Sequence, residues 1–235
     1  FMDADLNAAY NLTSANSINV ARWLPQQLYY FFAWQQWVKE YGDNTPMHIV
    51  VPSGNFGNVC AGMVAQKLGL PIKHFIASNN ANNVVTTYLK TNSYLPKPSV
   101  QTVSNAMDVG NPSNFIRIQE LFNNDIEALR RTFSSYSFTD DETRSAMKKI
   151  HSSSGYVSDP HGAVGYLGLK KYGLKENEFG IFLETAHPVK FLDVVEAVIP
   201  EKIALPPQIQ AVIEKEKSAI YVEDYSQFKT FLLNF

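Results

Sequence analysis

The chain has 235 residues, 45% of them apolar and 18% charged, and a formal net charge of −2. These values fit a globular chain with a substantial core and exclude an intrinsically disordered one. So balanced a charge gives no reason to expect nucleic acid or an anionic membrane as a partner. The single cysteine, Cys60, excludes an internal disulfide and favours a reducing compartment, so we expect a cytoplasmic location.

Two further classes of site or segment are not expected. The longest aromatic run, residues 28–34, is far shorter than the roughly 20 residues that cross a bilayer, so no membrane span is predicted. One cysteine and five scattered histidines lack the spacing of metal ligands, so no metal site is predicted.

The first long helical pattern covers residues 20–41. Pro25 predicts a kink or a late helix start there. A broad apolar face is predicted from Val20, Leu24, Leu28, Phe31, Phe32 and Val38.

Residues 46–78 predict a strand, a loop, a helix and a second strand. The runs PMHIVVP (46–52) and IKHFIAS (72–78) are short and rich in β-branched residues, and the residues between them follow a helical period. Such a unit implies parallel strands with a helical crossover. The class predicted for the whole chain is therefore α/β.

The remaining elements continue the alternation. Residues 92–112, rich in Asn, Ser, Pro and Thr, predict a long ordered loop. Acids at its start and bases at its end predict a helix over 140–153, and another helix follows the cap at Asp159 and stops at Gly173. A strand is predicted over 180–184 and a helix over 189–199.

The loop SGNFGN between the first strand and its helix is a candidate anion site. Free backbone N–H groups and the helix dipole attract anions at a helix start, phosphate above all. Gly54 and Gly57 allow close approach of a ligand, and Asn55 and Asn58 can donate amide hydrogens. A tight strand-to-helix turn with no ligand is the alternative. The loop has neither the P-loop ending nor the three-glycine dinucleotide spacing.

Two other segments carry candidate ligands. Asn16, Ser17, Asn19 and Arg22 gather amides, a hydroxyl and a guanidinium at a helix start, which suits a second phosphate or a plain helix cap with a solvated arginine. Thr185 follows a buried strand, and ligands collect beyond the carboxyl ends of strands in open α/β sheets.

Several ordered motifs together resemble one family. The segments NLTSANSINVAR, PSGNFGN, SNAMDVGNPSNF, DPHGAVG and ETAHPVKF occur in the order and approximate spacing of threonine synthases, which are pyridoxal-phosphate enzymes of fold type II. The resemblance runs from about residue 5 to about residue 200. It implies a mostly parallel twisted sheet with helices on both faces, as in the β subunit of tryptophan synthase, here incomplete at the amino-terminal end.

The resemblance also implies roles for individual residues. The SGNFG-type loop holds the phosphate of pyridoxal phosphate, and Thr185 matches the residue that hydrogen-bonds the pyridine nitrogen. Asn16, Ser17, Asn19 and Arg22 match the site for the phosphate of O-phosphohomoserine. The cofactor loop corresponds to Ser53, Gly54, Asn55, Phe56, Gly57 and Asn58.

One family element is missing. The lysine that forms the resting Schiff base lies in a Phe-Lys-Asp context, and no lysine of this chain has that context. The chain is therefore expected to be the carboxyl-terminal part of a longer enzyme, with residues 1–45 ending the smaller domain and residues 46–235 forming the larger, cofactor-binding domain. Its partner would be the missing amino-terminal part, and alone it is expected to be inactive.

The family reaction converts O-phospho-L-homoserine and water to L-threonine and phosphate, which makes the enzyme a carbon-oxygen lyase acting on a phosphate ester. Two alternatives stay open. One is a serine or threonine dehydratase, which needs no substrate-phosphate site, and the other is a non-catalytic binding protein that keeps the phosphate loop. No role is predicted for Asp108, His161, His187 or Lys190.

Overall fold

The computed structural model describes residues 2–235, which form two compact units. One unit comprises the residues up to Asn16 together with Ala204–Phe235, and the other comprises Ser17–Ile203. The second unit contains the sheet. The domain boundary at residues 45 and 46 stays a prediction.

Helices and strands alternate through the middle of the chain. The strands are β1 (Met47–Pro52), β2 (Ile72–Asn79), β3 (Phe133–Ser137) and β4 (Phe179–Phe182). Short 3-10 turns occur at Leu24–Gln26, Asn105–Met107 and Pro188–Phe191. The helices are α1 (Ala4–Ala9), α2 (Val20–Trp23), α3 (Gln27–Tyr41), α4 (Gly57–Lys67), α5 (Val84–Thr91), α6 (Phe115–Leu121), α7 (Ile126–Thr132), α8 (Asp140–Ser154), α9 (Pro160–Tyr172), α10 (Leu192–Glu196), α11 (Pro207–Ile213) and α12 (Tyr225–Leu233).

The four strands form a parallel sheet in the order β3-β2-β1-β4. β1 lies in the centre, where Val50 pairs with Ile76 of β2 on one side and with Phe182 of β4 on the other. Every carboxyl end therefore reaches the same edge of the sheet. The predicted strand-loop-helix-strand unit is confirmed, whereas β3 was not predicted.

The sheet buries both faces because successive side chains of a strand point in opposite directions. The odd-numbered residues of β1, such as Ile49 and Val51, join the core cluster that includes Tyr30 and Met63 from α3 and α4. The even-numbered residues meet α9, which comes close enough that a methyl group on Gly168 would lie 3.0 Å from Val50 Cγ1. Helices thus cover both faces, as the predicted fold class requires.

The helical pattern over residues 20–41 is interrupted at Pro25. α2 ends at Trp23, a 3-10 turn follows, and α3 starts at Gln27, so the predicted kink is confirmed. The predicted apolar face is wrong, because the buried stripe is formed by Trp23, Tyr30 and Trp37 at seven-residue spacing. The aromatic residues with the polar N–H and O–H groups turn inward, where hydrogen-bond partners exist for Tyr30 and Trp37. The predicted residues Val20, Leu24, Leu28, Phe31 and Phe32 are exposed.

The later helix predictions differ in accuracy. α8 matches its prediction, with a capping box between Thr139 and Glu142, and α9 is capped by Asp159. The helix predicted over 189–199 is shorter, because Pro188 starts a 3-10 turn and regular α-helix covers only Leu192–Glu196.

The first unit pairs the two ends of the chain. The Asp3 side chain caps α1, and the Lys229 ammonium group of α12 lies 3.0 Å from Asp3 Oδ2 and 2.6 Å from Asp5 Oδ2. The Tyr225 hydroxyl donates to the same Asp3 oxygen at 2.8 Å. Charge and hydrogen bonds therefore hold α12 against α1 in this unit.

Two histidines lie side by side near the start of the sheet. His48 and His74 are opposite each other on β1 and β2, and the Tyr172 ring packs on both, at 5.5 and 5.1 Å between ring centroids. Burial, followed by the nearby His48, lowers the pKa of His74 to about 4. His74 is therefore neutral in the folded chain and bonds to Ser134 Oγ at 2.8 Å.

We expect His74 to make folding acid-sensitive. Its folded pKa lies below the unfolded value of 6.5, so its contribution is present above pH 6.5 and is lost as the pH falls toward 4. The loss attributable to His74 is roughly 3 kcal/mol over that window. Denaturant unfolding at several pH values should show a weaker pH dependence for His74→Phe than for wild type. His151→Gln, a histidine change on the partly exposed surface of α8, is the control, and parallel wild-type and H74F profiles would contradict the assignment.

Candidate functional site

Ser53 begins the candidate loop at the carboxyl end of β1, and it is tied into the sheet. Its N–H donates to Ser78 O at 2.9 Å, its carbonyl accepts from Asn79 Nδ2 at 2.6 Å, and its hydroxyl donates to Val51 O at 2.8 Å. Only 3% of Ser53 is exposed. The neighbouring strands therefore fix where the loop starts.

Gly54 and Asn55 connect the loop to two other segments. A methyl group on Gly54 would lie 2.6 Å from Met107 Cα, so only glycine allows this approach. Asn55 Nδ2 donates to Ser17 Oγ at 2.5 Å, and Asn55 Oδ1 accepts from the N–H and hydroxyl of Ser113 at 2.7 and 2.9 Å. One amide thus joins the loop to the segment around Ser17, here called the residue-17 segment, and to the segment around Ser113.

The start of α4 keeps the properties of an anion site. Phe56 is the N-cap residue in the left-handed backbone region at φ 61°, and no side chain caps the first N–H groups. Next to it, a methyl group on Gly57 would lie 3.2 Å from Asn114 Nδ2, a buried amide nitrogen that has no hydrogen-bond partner. Uncapped backbone donors and an unpaired buried donor in one place favour an anionic ligand.

Asn58 serves the packing of α4 on α3. Its Oδ1 accepts from the hydroxyls of Tyr29 and Tyr30, the latter at 2.7 Å. Burial raises the pKa of Tyr29 to about 12 and raises the pKa of Tyr30 as well, so both hydroxyls stay protonated donors. The Asn58 side-chain oxygen is therefore used within the protein.

The predicted second phosphate segment lies beside this loop. Ser17 Cβ is 3.3 Å from the position of a Gly57 methyl group, and Trp23 Cβ is 3.6 Å from it. Asn19 Oδ1 accepts from the Ala21 N–H at 3.0 Å and caps α2, and Arg22 is exposed on that helix.

Asn16, the remaining predicted ligand of that segment, ends the other unit. Its N–H donates to Ser14 Oγ at 3.1 Å. The structure thus brings Ser17 against the predicted cofactor loop, and the role of each of these residues stays a prediction.

Arg117 of α6 was not predicted, and it holds the residue-17 segment. Its guanidinium donates to the carbonyls of Ser17 at 3.5 Å and Ile18 at 2.6 Å, and it also bonds to Asn114 Oδ1. Its charge lies 5.8 Å from the Trp23 ring centroid. The sequence signal was weak, because an arginine in the first turns of a helix is ordinary.

Thr185 lies on the same edge of the sheet. It is exposed three residues after β4, the strand beside β1, and Leu183 N–H extends the pairing by donating to Val50 O at 3.0 Å. His187 Nδ1 accepts from Val189 N–H at 3.1 Å, and Lys190 is exposed on the following 3-10 turn. Thr185 and Ser53 therefore follow adjacent parallel strands.

Asp108 organises the long loop over 92–112. Its carboxylate accepts from Thr102 N–H and Oγ1, from Asn80 Nδ2 and from Asn82 Nδ2, at 2.7 to 3.1 Å. The predicted ordered loop is confirmed, and its order comes from this buried network. Asp108 thereby sets the position of Met107, against which Gly54 packs.

The described part of the chain contains neither a membrane-spanning helix nor a cluster of metal ligands. From Met2 to the carboxyl terminus, no helix combines the length and apolar character needed to cross a membrane. Over the same residues, no group of three or more His, Cys, Asp or Glu side chains could hold a metal ion.

Family models match most of the chain. A model described as "Pyridoxal-phosphate dependent enzyme" matches residues 4–180, and one described as "Threonine synthase, C-terminal" matches residues 162–232.

The chain is also similar in sequence to bacterial threonine synthases. The chain is 45% identical to a threonine synthase of Buchnera aphidicola over 99% of this chain and 53% of that protein. It is 48% identical to the threonine synthase of Haemophilus influenzae over 88% of this chain and 47% of that protein. The chain spans about half the length of the curated relatives it matches.

Solved structures of threonine synthases have a fold similar to that of this chain. The fold superimposes on threonine synthase from Escherichia coli with a TM-score of 0.88 and 38% identity, covering 98% of this chain and 53% of that one. The match to PLP-bound threonine synthase from Brucella melitensis has a TM-score of 0.84 and 31% identity, covering 92% and 51%. The predicted fold class and the resemblance are confirmed. A fungal serine ammonia-lyase from Rhizomucor miehei, 12% identical over 76% of this chain and 57% of that one with a TM-score of 0.55, shares the fold alone.

Gly54→Ala should destabilise the chain more than an ordinary glycine change. The new methyl group would meet backbone atoms of Met107, which cannot swing away as a side chain can, so we expect a loss of roughly 1–3 kcal/mol in urea unfolding. Gly69→Ala is the control, because its methyl group meets nothing within 4 Å and only its φ of 109° opposes it. A G54A variant as stable as the wild-type chain would show that the approach to Met107 is not tight.

Proposed function

This chain belongs to the pyridoxal-phosphate-dependent enzymes, and from that premise we propose that it is the carboxyl-terminal part of a threonine synthase. The reaction is the conversion of O-phospho-L-homoserine and water to L-threonine and phosphate by a carbon-oxygen lyase in the cytoplasm. Residues 1–45 would end the smaller domain, and residues 46–235 would form the cofactor domain. The missing amino-terminal part is the partner that completes the enzyme.

The observation that carries the proposal is the hydrogen bond between Asn55 and Ser17. It joins the loop proposed for the cofactor phosphate to the segment proposed for the substrate phosphate. A phosphorylated substrate and a phosphorylated cofactor need two anion sites a short distance apart, and a dehydratase of unphosphorylated serine needs only one.

The residues present fit pyridoxal phosphate. The uncapped N–H groups at the start of α4, the missing side chain at Gly57 and the unpaired Asn114 amide suit its phosphate. The loop Ser53, Gly54, Asn55, Phe56, Gly57 and Asn58 would surround that phosphate, and Thr185 would hydrogen-bond the pyridine nitrogen. When bound, the cofactor supplies an electron sink for the proton removals.

Thr185 and the residue-17 segment have separate tasks in this scheme. A hydroxyl at Thr185 does not hold the pyridine nitrogen protonated as a carboxylate would, so it moderates the electron sink. Ser17, Asn19, Asn16 and Arg22 would bind and orient the substrate phosphate, with Arg22 supplying a bidentate charge.

The chain alone should not bind the cofactor covalently. After incubation with pyridoxal phosphate and borohydride reduction, we expect peptide mass mapping to find no specific pyridoxyl-lysine within residues 1–235. Lys190, the lysine of the ETAHPVKF segment, is exposed, and Lys190→Ala controls for adventitious labelling there. Stoichiometric label on one lysine would contradict the proposal.

Arg22→Ala distinguishes the two reactions on this fold. In the chain completed by its amino-terminal part, loss of a charge-assisted pair should weaken O-phosphohomoserine binding roughly 10- to 100-fold in calorimetry. Arg144→Ala, a change at a partly exposed arginine on α8, should leave it unchanged. Unchanged phosphohomoserine binding in R22A together with turnover of serine would favour the dehydratase. Absence of any amino-acid turnover by the completed chain would favour a non-catalytic binding protein.

A further inference from the structure

A cluster of acidic and hydroxyl groups surrounds the start of α9, apart from the phosphate loop. It consists of Ser158, Asp159, His161 and Glu184, and Glu184 directly precedes Thr185. None of these four residues belongs to the proposed cofactor or substrate sites. The cluster contains two carboxyl groups and no lysine or arginine partner.

Asp159 is fully buried and has one unused oxygen. Its Oδ1 accepts from the N–H of His161 at 2.8 Å and from His161 Nδ1 at 2.6 Å. The Ala106 N–H donates to His161 Nε2 at 3.2 Å, so the ring proton is on Nδ1 and the ring is a neutral donor to Asp159. Asp159 Oδ2 is buried and has no donor. A buried acceptor without a donor is costly.

The Glu184 carboxyl group lies against this cluster. Its Oε1 accepts from Ser158 Oγ at 3.0 Å, and its carboxyl is within hydrogen-bond reach of Asp159. Its Oε2 lies 2.0 Å from the place that a methyl group on Gly162 would take. Only glycine at position 162 leaves room for the carboxyl, although much of the Glu184 side chain is exposed to solvent.

Two ionised carboxylates in such proximity repel each other, and one shared proton removes the repulsion. We propose that Glu184 is a neutral carboxylic acid that donates its proton to Asp159 Oδ2, and that this bond anchors the turn carrying Thr185 to the start of α9. Glu184 is then a positioning residue, and Asp159 Oδ2 is the acceptor because His161 already donates two hydrogen bonds to Asp159 Oδ1.

The electrostatics support this distribution of the proton. Partial burial of its carboxyl group, followed by the charge of Asp159, raises the pKa of Glu184 to about 8. Two other titratable groups face the pair. They are His161, which bonds to Asp159, and Tyr156, whose own pKa is raised by burial and then by Glu184 and Asp159.

One consequence rests on the proposed function. Thr185 is proposed to contact the pyridine nitrogen, and a neutral residue 184 keeps a negative charge away from that nitrogen. An ionised Glu184 would favour protonation of the nitrogen and undo the effect of a hydroxyl ligand. The shared proton itself does not depend on the cofactor.

The proton can be counted by unfolding. Glu184 has a raised pKa, so its contribution to stability is full below pH 4.5 and is lost as the pH rises through about 8. Between about pH 5.5 and pH 7.5, the unfolding equilibrium constant of the wild-type chain should increase about tenfold per pH unit relative to Glu184→Gln. The amide of E184Q can still donate to Asp159 and does not titrate. Effects of His74 and the other histidines outside this cluster are common to both proteins and cancel in the ratio.

Glu176→Gln is the matched control, because Glu176 is exposed in the loop before β4. Its ratio to wild type should not depend on pH. Parallel pH profiles for wild type and E184Q would overturn the proposal.

A second measurement uses the wild-type chain directly. The infrared difference between wild-type samples near pH 6.5 and well above pH 8 should contain the C=O stretch of a protonated carboxyl group, which is lost at the higher pH. Its absence near pH 6.5 would overturn the proposal even if a variant unfolds. Neither measurement involves the cofactor, so failure of the proposed function would leave both results unchanged.

Discussion

The arrangement of the site depends on the side-chain amide of Asn55. Its nitrogen and oxygen bind two segments that are far from it in sequence, at Ser17 and Ser113. These contacts occupy the amide oxygen and one N–H of the amide nitrogen, so the loop after β1 is held against the segments that precede α2 and α6. Arg117 strengthens the arrangement because it holds the carbonyls next to Ser17. Loss of this cross-link would leave the start of α4 an ordinary turn.

Much of the fold was predictable because its signals are local. The alternation around β1, α4 and β2, the cap at Asp159 and the break at Pro25 each arise within a few residues, so pattern and propensity suffice. The inward face of α3 was not predictable in this way. Hydrophobicity alone favoured Leu28 and Phe32, but burial went to Tyr30 and Trp37, whose polar atoms find partners elsewhere in the chain.

The site, like the fold, has features that local sequence predicts and features that depend on distant residues. Glycines and asparagines after a strand indicated an anion loop, and the residue-17 segment was recognised from its caps. The tasks of Arg117, Asp108 and His161 could not be read from the sequence, because each also bonds to a partner that lies tens of residues away. Strand β3 was missed because three of its five residues are serines, and its pairing with β2 supplies the missing stabilisation.

The glycines of α9 set the distance between helix and sheet. Gly165 faces Pro52, and Gly168 faces Ser78 and Val50, so backbone rather than side chain forms this contact. The Ser78 hydroxyl donates to the Val164 carbonyl at 2.5 Å, which is feasible only at this short spacing. Gly162 and Gly168 are about 9 Å apart along the helix axis. A single added methyl group at position 168 would therefore tilt α9 away from the sheet. The tilt would displace the cluster of Asp159, His161 and Glu184 at the start of the helix, although the methyl group contacts none of these residues.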